Sequence, residues 1–209
     1  MKRGIKGQKI VAATHNQGKL EEIAALLGPL NVEIISAKAL NLPEPEETET
    51  TFVGNARIKA HAAARASNLP ALSDDSGIEI DALDGAPGIH SARYAGIPQT
   101  GEAQDAANRF KLLDALREVP VGERSARFVA SLALRLPGEE QTHFFEGTFE
   151  GEIGFEEAGD NGFGYDSIFL VDGGACTSAE LSPEAKNARS HRGEALRKLE
   201  EFLRARASR

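Results

Sequence analysis

Cysteine is almost missing from this chain. Cys176 is the single thiol among 209 residues, so no intrachain disulfide can form; that excludes a disulfide-stapled scaffold and makes a reducing cytoplasm the expected compartment. With no His or Asn/Asp motif around it, Cys176 reads as a small packing residue rather than a nucleophile. Positive charge is in deficit as well: 24 Lys+Arg against 32 Asp+Glu leave a net −8. The chain therefore has no general grip on a nucleic-acid backbone, and it lacks the basic stripe with interleaved aromatics of a nucleic-acid module. Any basic site must be local. No apolar stretch approaches the roughly 18 residues of a membrane span. Lys2, Arg3, Lys6 and Lys9 precede an apolar run of only Ile10–Ala13, too short for a secretory leader. Neither GxxxxGK[ST] nor GxGxxG occurs, and no internal repeat or low-complexity tract is present.

What remains is a chain with 41% hydrophobic residues, long enough to bury roughly 70% of its unfolded surface in one domain or two small lobes. Ile10–Ala13 and Val32–Ser36 read as strands, and Lys19–Leu27 as a helix with Leu20, Ile23 and Leu27 on one face, stopped by Gly28-Pro29. An acidic, proline-bearing loop from Leu42 to Thr50 leads to a helix over Thr51–Ser67. Phe52, Ala56, Ala60 and Ala63 share one face of that helix; Asn55 and Lys59 share another. Ala71–Asp75 and Ile78–Leu83 predict two strands around an Asp75-Ser76-Gly77 corner. Thr100–Val119 predicts a helix that buries Ala106, Phe110 and Leu113. Phe128–Leu136 and Thr142–Ile153 alternate as strands of a hairpin, with Glu146, Glu150 and Glu152 on a solvated face. Ser167–Val171 is a further strand, and Ser182-Pro183-Glu184 opens one closing helix. Strand and helix alternate early and strands run antiparallel later, which predicts an α/β fold with a mixed sheet.

Four segments carry possible chemistry. Thr14-His15-Asn16-Gln17-Gly18-Lys19 lies between a buried strand and a helix, where free backbone N–H groups and the helix dipole favour phosphate, although taken by itself the segment reads first as an ordinary N-capping turn. Asp74 and Asp75 end a small, apolar strand, and the pleat lets only one of them face a given cleft, leaving the other as a structural acceptor. With Glu46 and Glu47 upstream they offer the oxygen-rich donor set that Mg²⁺ prefers. In Asp160-Asn161-Gly162-Phe163-Gly164-Tyr165-Asp166, two glycines flank an aromatic that can stack on a base while Asp166 accepts from base N–H groups; a glycine turn with a core Phe is the other reading. Lys186, Ser190, His191 and Arg192 gather near the start of the last helix. Cations there oppose the dipole, which points to an anionic ligand or to a solvated basic turn.

In order along the chain, residues 14–19, 46–52, 55–60, 71–77, 85–96, 162–166 and 190–193 together resemble the inosine triphosphate pyrophosphatase family, house-cleaning enzymes that hydrolyse inosine, deoxyinosine and xanthosine triphosphates. The resemblance implies one domain over 1–209 with two lobes around a long mixed sheet, a central substrate cleft, a homodimer, and Mg²⁺-dependent release of pyrophosphate. It implies that Thr14, His15, Asn16, Gln17, Gly18 and Lys19 bind the triphosphate and that Glu46 and Asp75 hold the metal, with Glu47 a competitor for Glu46. Asp75 would also take the proton from the attacking water. Ser76 and Lys186 would contact substrate, Phe163 would stack on the purine within the Phe163-Gly164-Tyr165-Asp166 segment, and Asp166, His191 and Arg192 would read the base edge. His15, His90 and Ser167 depart from the family's usual glycine, tyrosine and proline. A pocket-bearing sensor that no longer hydrolyses is the competing function.

Overall fold

A computed structural model describes residues 9–30, 32–98 and 100–207; the basic residues Lys2, Arg3 and Lys6 lie outside that set. The apolar run forms β1 (Lys9–Ala12), and Asn16 caps α1 (Gln17–Leu27) by accepting the Lys19 N–H, which satisfies one orphan donor of the first turn. After β2 (Glu33–Ser36) and the acidic loop, Thr51 caps α2 (Phe52–Ser67) through the Gly54 N–H. The chain continues through β3 (Ala71–Ile80), α3 (Glu102–Ala115), β4 (Ser125–Arg135), β5 (Thr142–Ile153), β6 (Phe169–Val171), β7 (Cys176–Thr177), α4 (Pro183–Arg189) and α5 (His191–Ala207). The strands order as β2-β1-β3-β4-β5-β6-β7 in one sheet. β1 pairs in parallel with β2 and β3, whereas β6 pairs antiparallel with β5 and β7. The sheet is thus mixed, as the element order requires. No helix among the described residues is long and apolar enough to cross a membrane.

The chain divides into two compact units. The first comprises the described residues of Met1–Asp75, Ala130–Gly147 and Arg192–Arg209. Its main core joins Ile10, Leu72, Leu132 and Leu134 of the strands to Ile23 and Leu27 of α1 and Leu196, Leu199 and Leu203 of α5. Each such buried side chain contributes roughly 1.5–3 kcal/mol. Val11, on the other pleat face, packs with Ala63, Ala64 and Ala71, where the alanines of α2 let helix and strand approach closely.

The second unit comprises Ser76–Val129 and Thr148–His191. Ile78, Ile80, Phe128, Phe149 and Phe169 centre its core, with the Phe128 and Phe169 rings 4.5 Å apart. Arg124 is fully buried with its guanidinium spent on carbonyls, those of Leu116 and Val119 beyond α3 and of Ile153 and Gly154 at the end of β5. A buried cation is tolerated there because its donors are met and because the C-terminal carbonyls of a helix favour positive charge.

Three expectations need correcting. Asp75-Ser76-Gly77 is no corner: β3 runs unbroken from Ala71 to Ile80, and Gly77 does not use the left-handed backbone that a glycine turn would need. The closing helix is two helices, interrupted where Ser190 is extended at φ −66°, ψ 159°. On α3 the buried side chains are Gln104, Asn108, Arg109 and Leu112, while Phe110 is 74% exposed and Ala106 is exposed. The polar residues win that face because each finds hydrogen-bond partners there, and Arg109 Nε, without a hydrogen bond of its own, faces the Glu157 carboxylate at 2.9 Å.

Candidate active site

The site residues of the first unit are set by β1, α1, α2 and β3. Thr14 Oγ1 accepts the Asn16 N–H at 3.1 Å, which shapes the turn that leads into α1. Gln17 donates to Glu21, Gly18 lies in the helix's first turn, and exposed His15 is 3.3 Å from the Leu42 carbonyl and 3.7 Å from Glu44. One helical step onward, Lys19 Nζ reaches Asp74 Oδ1 at 2.9 Å.

Alternation along β3 separates the two aspartates by task. Asp74 is sealed from solvent and accepts Lys19 on one oxygen and Arg192 Nε, at 2.7 Å, on the other; Arg192 also pairs with Glu22. Burial alone would raise the Asp74 pKa, but Arg192 and Lys19 outweigh it and hold the carboxyl well below its ordinary range. Asp74 is thus the structural acceptor that the pleat argument called for. Arg192, expected at the base edge, is buried in this ion network.

Asp75 accepts a 2.6 Å bond from Lys59 Nζ, whose ammonium also meets Glu47 Oε1 at 3.1 Å. Burial pushes the Asp75 pKa up, and Lys59 and Lys19 offset this only in part. Burial would lower Lys59, but Asp75 and Glu47 prevail and raise it; burial does lower Lys19. Lys59 shares a face of α2 with Asn55, one helical step before it, and both are buried; in the sequence nothing sets this lysine apart from a solvated helix charge. Glu47, the competitor, is the glutamate brought beside the cation that Asp75 holds. Glu46 is exposed. Two carboxylates already converging on one cation suit Mg²⁺, which takes one or two protein carboxylates and completes its shell with phosphate oxygens and water. Among the described residues no group of three or more potential ligands exists, so an all-protein cage is not available.

The second unit carries the glycine-rich segment. Asp166 is buried and both its oxygens are bonded: Oδ2 accepts the Phe163 N–H at 2.9 Å and Lys186 Nζ at 2.7 Å, and Oδ1 accepts Ser178 at 3.0 Å. A Cβ on Gly162 would lie 2.1 Å from Asp166 Oδ2, and its φ is +80°, so only glycine lets this loop close on the carboxylate. Lys186 Nζ also stands 5.1 Å from the centroid of the Phe163 ring. Tyr165 is a core residue whose hydroxyl donates to the Ser91 carbonyl, and His191 is buried and stacked on Phe128 at 4.9 Å. Ser76 is half-buried on β3. Phe163, Gly164 and Asp166 line a cavity of about 300 Å³, within the range of small-ligand sites.

A cationic turn before a helix, a carboxylate pair sharing a lysine and a cavity fitted with one aromatic and one buried aspartate are joined by a match to the Ham1 family over residues 10–202. The chain belongs to the Ham1 family. Relatives in this family include a dITP/XTP pyrophosphatase of Rhodospirillum centenum, 52% identical over 198 residues that cover 94% of this chain and 95% of the relative. The dITP/XTP pyrophosphatase of Pseudomonas aeruginosa is 49% identical, covering 95% of this chain and 98% of its own. A HAM1 protein from Coxiella burnetii has a similar structure, with TM-score 0.84 and 45% identity over 95% of this chain and 99% of that one. The matched residues reach into both units and include every site residue described above.

Proposed function

We propose that this Ham1 chain is a Mg²⁺-dependent pyrophosphatase that converts dITP, ITP and XTP to the nucleoside monophosphate and pyrophosphate. The observation that carries the reading is Lys59 held between Asp75 and Glu47, a paired-carboxylate and cation arrangement suited to a metal and a phosphate chain; the names of the close relatives support it. Thr14 to Lys19 bind the triphosphate. Glu47 and Asp75 hold the metal, which when bound neutralises phosphate charge and so lowers the repulsion met by an attacking oxygen. Lys19 and Lys59 supply fixed positive charge to the phosphates. Asp75, whose carboxylate can accept a proton, takes the proton from water as the water oxygen bonds to the α-phosphorus. The bridging oxygen leaves with the β and γ phosphates as pyrophosphate.

Phe163 stacks on the purine, and Lys186, Asp166, Ser76 and His191 serve substrate contact and base recognition, while Arg192 holds Asp74 in place. A donor that meets the 6-keto oxygen of hypoxanthine or xanthine would face the amino group of adenine, leaving a buried donor unpaired at about 1–3 kcal/mol. A cytoplasmic homodimer completes the proposal. The lone cysteine suits a reducing compartment, and the dimer follows from the family resemblance.

Incubation with dITP and XTP at saturating Mg²⁺, with products separated by anion exchange, should yield monophosphate and pyrophosphate in equal amounts. Orthophosphate as the first product would overturn the bond assignment. Asp75→Asn should lower kcat by roughly 100-fold or more while dITP still binds; a non-hydrolysing sensor would show no turnover even in the unaltered chain.

A further inference from the structure

The face of α3 that buries polar instead of apolar side chains ends on one residue of the glycine-rich segment. Asp105 and Arg109 are one helical turn apart, so both project toward the same place. Asp105 Oδ2 accepts the Gly164 N–H at 2.9 Å, and Arg109 Nη1 donates to the Gly164 carbonyl at 2.9 Å. The two side chains thus grip both backbone polar groups of a glycine at φ +64° that sits between Phe163 and Tyr165. Arg109 is 7% exposed, and its remaining donors face Glu102 Oε1 at 2.6 Å and Glu157 Oε2 at 2.9 Å. Glu157 in turn accepts from Ser167, on the far side of Asp166. Arg109, Glu102 and Glu157 also line the cavity shared by Phe163 and Asp166.

A glycine in left-handed conformation has many alternatives in the unfolded chain, and a loop built on three of them, Gly159, Gly162 and Gly164, does not hold an aromatic ring in place by its own torsional preferences. Asp166 fixes the loop from inside through Phe163 N. The Asp105–Arg109 pair fixes it from the helix side. Burying an arginine where a leucine would fill the face more cheaply is explained by this grip, because the planar guanidinium can serve one carbonyl and two carboxylates at once.

We propose that Asp105 and Arg109 are specificity-determining positioning residues, which clamp Gly164 so that Phe163 and Asp166 keep one geometry against the purine base. The proposal rests on the pyrophosphatase reading for its substrate and on the fold alone for the clamp. Selectivity between dITP and dGTP is a difference of positioned contacts, so a loosened loop compresses the ratio of their kcat/KM values and raises KM more than it lowers kcat.

The test pairs hydrogen exchange with kinetics. In the unaltered chain the Gly164 amide should be protected; in Asp105→Ala that protection should fall, and Asp105→Asn, which keeps an acceptor oxygen, should recover most of it. Asp105→Ala and Arg109→Leu should raise the KM for dITP by about 10- to 100-fold, the scale expected when a recognition element is misplaced by about 1 Å. They should also compress the dITP to dGTP ratio, with Arg109→Lys between Leu and the unaltered residue because an ammonium cannot fork to three partners. An unprotected Gly164 amide in the unaltered chain overturns the clamp outright, even if a variant fails to fold. Folded Asp105→Ala with unchanged KM and ratio overturns the specificity role and leaves the pyrophosphatase reading standing. Failure of the unaltered chain to release pyrophosphate from dITP overturns that reading and not the exchange result.

Discussion

Replacing Asp74 by Asn should cost the first unit much of its stability. Its side chain has no exposure, with Lys19 Nζ 2.9 Å from one oxygen and Arg192 Nε 2.7 Å from the other. An amide cannot accept on both sides: whichever way it turns, its NH₂ group meets a donor. Two cations then share one neutral oxygen. Removing one partner of a buried ion network costs about 3–5 kcal/mol, chiefly by stranding the charges left behind. Arg192 retains Glu22, and Lys19, 16% exposed, can turn toward water, so a value near 3 is expected. For a chain of this size that lowers Tm by roughly 6–12 °C.

Urea unfolding followed by far-UV circular dichroism measures the difference, and a double-mutant cycle with Arg192→Met isolates the pair, whose coupling should reach about 0.5–3 kcal/mol. The sign with pH follows from the depressed pKa of Asp74. Its ionised form stabilises the fold fully above the unfolded carboxylate value near ~3.9, and this stabilisation is lost as pH falls through the folded value. The gap between the unaltered chain and Asp74→Asn should therefore narrow on acidification below about pH 4. An Asp74→Asn protein within ~0.5 kcal/mol of the unaltered one at pH 7 would refute the argument that this aspartate is the counter-ion of two buried cations.

Glu47→Gln should raise the Mg²⁺ concentration for half-maximal turnover by about 10- to 100-fold, while Glu46→Gln changes it little, and isothermal titration with Mg²⁺ and the product monophosphate checks both without turnover. Phe163→Ala should raise the KM for dITP by about 5- to 150-fold with a smaller change in kcat, since stacking on one base contributes about 1–3 kcal/mol; equal KM values would show that the ring does not meet the purine.

Local physics made much of this molecule legible in the sequence. β1, β2, α2, β4 and β5 follow from apolar spacing, because their inward apolar residues have no competing use. Ile10, Ala56, Leu132 and Leu134 are buried for that reason alone. Where side chains have partners elsewhere in the chain, periodicity misleads. On α3, Phe110 satisfies the helical stripe and Arg109 breaks it, yet Arg109 is the buried one, since Gly164, Glu102 and Glu157 await its donors. Those partners lie up to 55 positions away, beyond any local window.

The candidate site divides in the same way. The strand pleat alone separates Asp74 from Asp75, so their different tasks could be read before any contact was known. Lys59 could not, because a lysine on a helix is ordinarily a solvated charge; its ammonium is held inward only by Asp75, 16 positions on, and Glu47, 12 positions back. Asp166 accepts from Phe163 N, Ser178 and Lys186; that it accepts from a base edge is part of the proposed function. The same three bonds that occupy the carboxylate also fix where Phe163 stands. If this loop recognises a base as proposed, it is organised before any ligand arrives, for its glycines at 162 and 164 leave backbone freedom that charged groups from α3 and α4 take up through their bonds to Gly164 and Asp166.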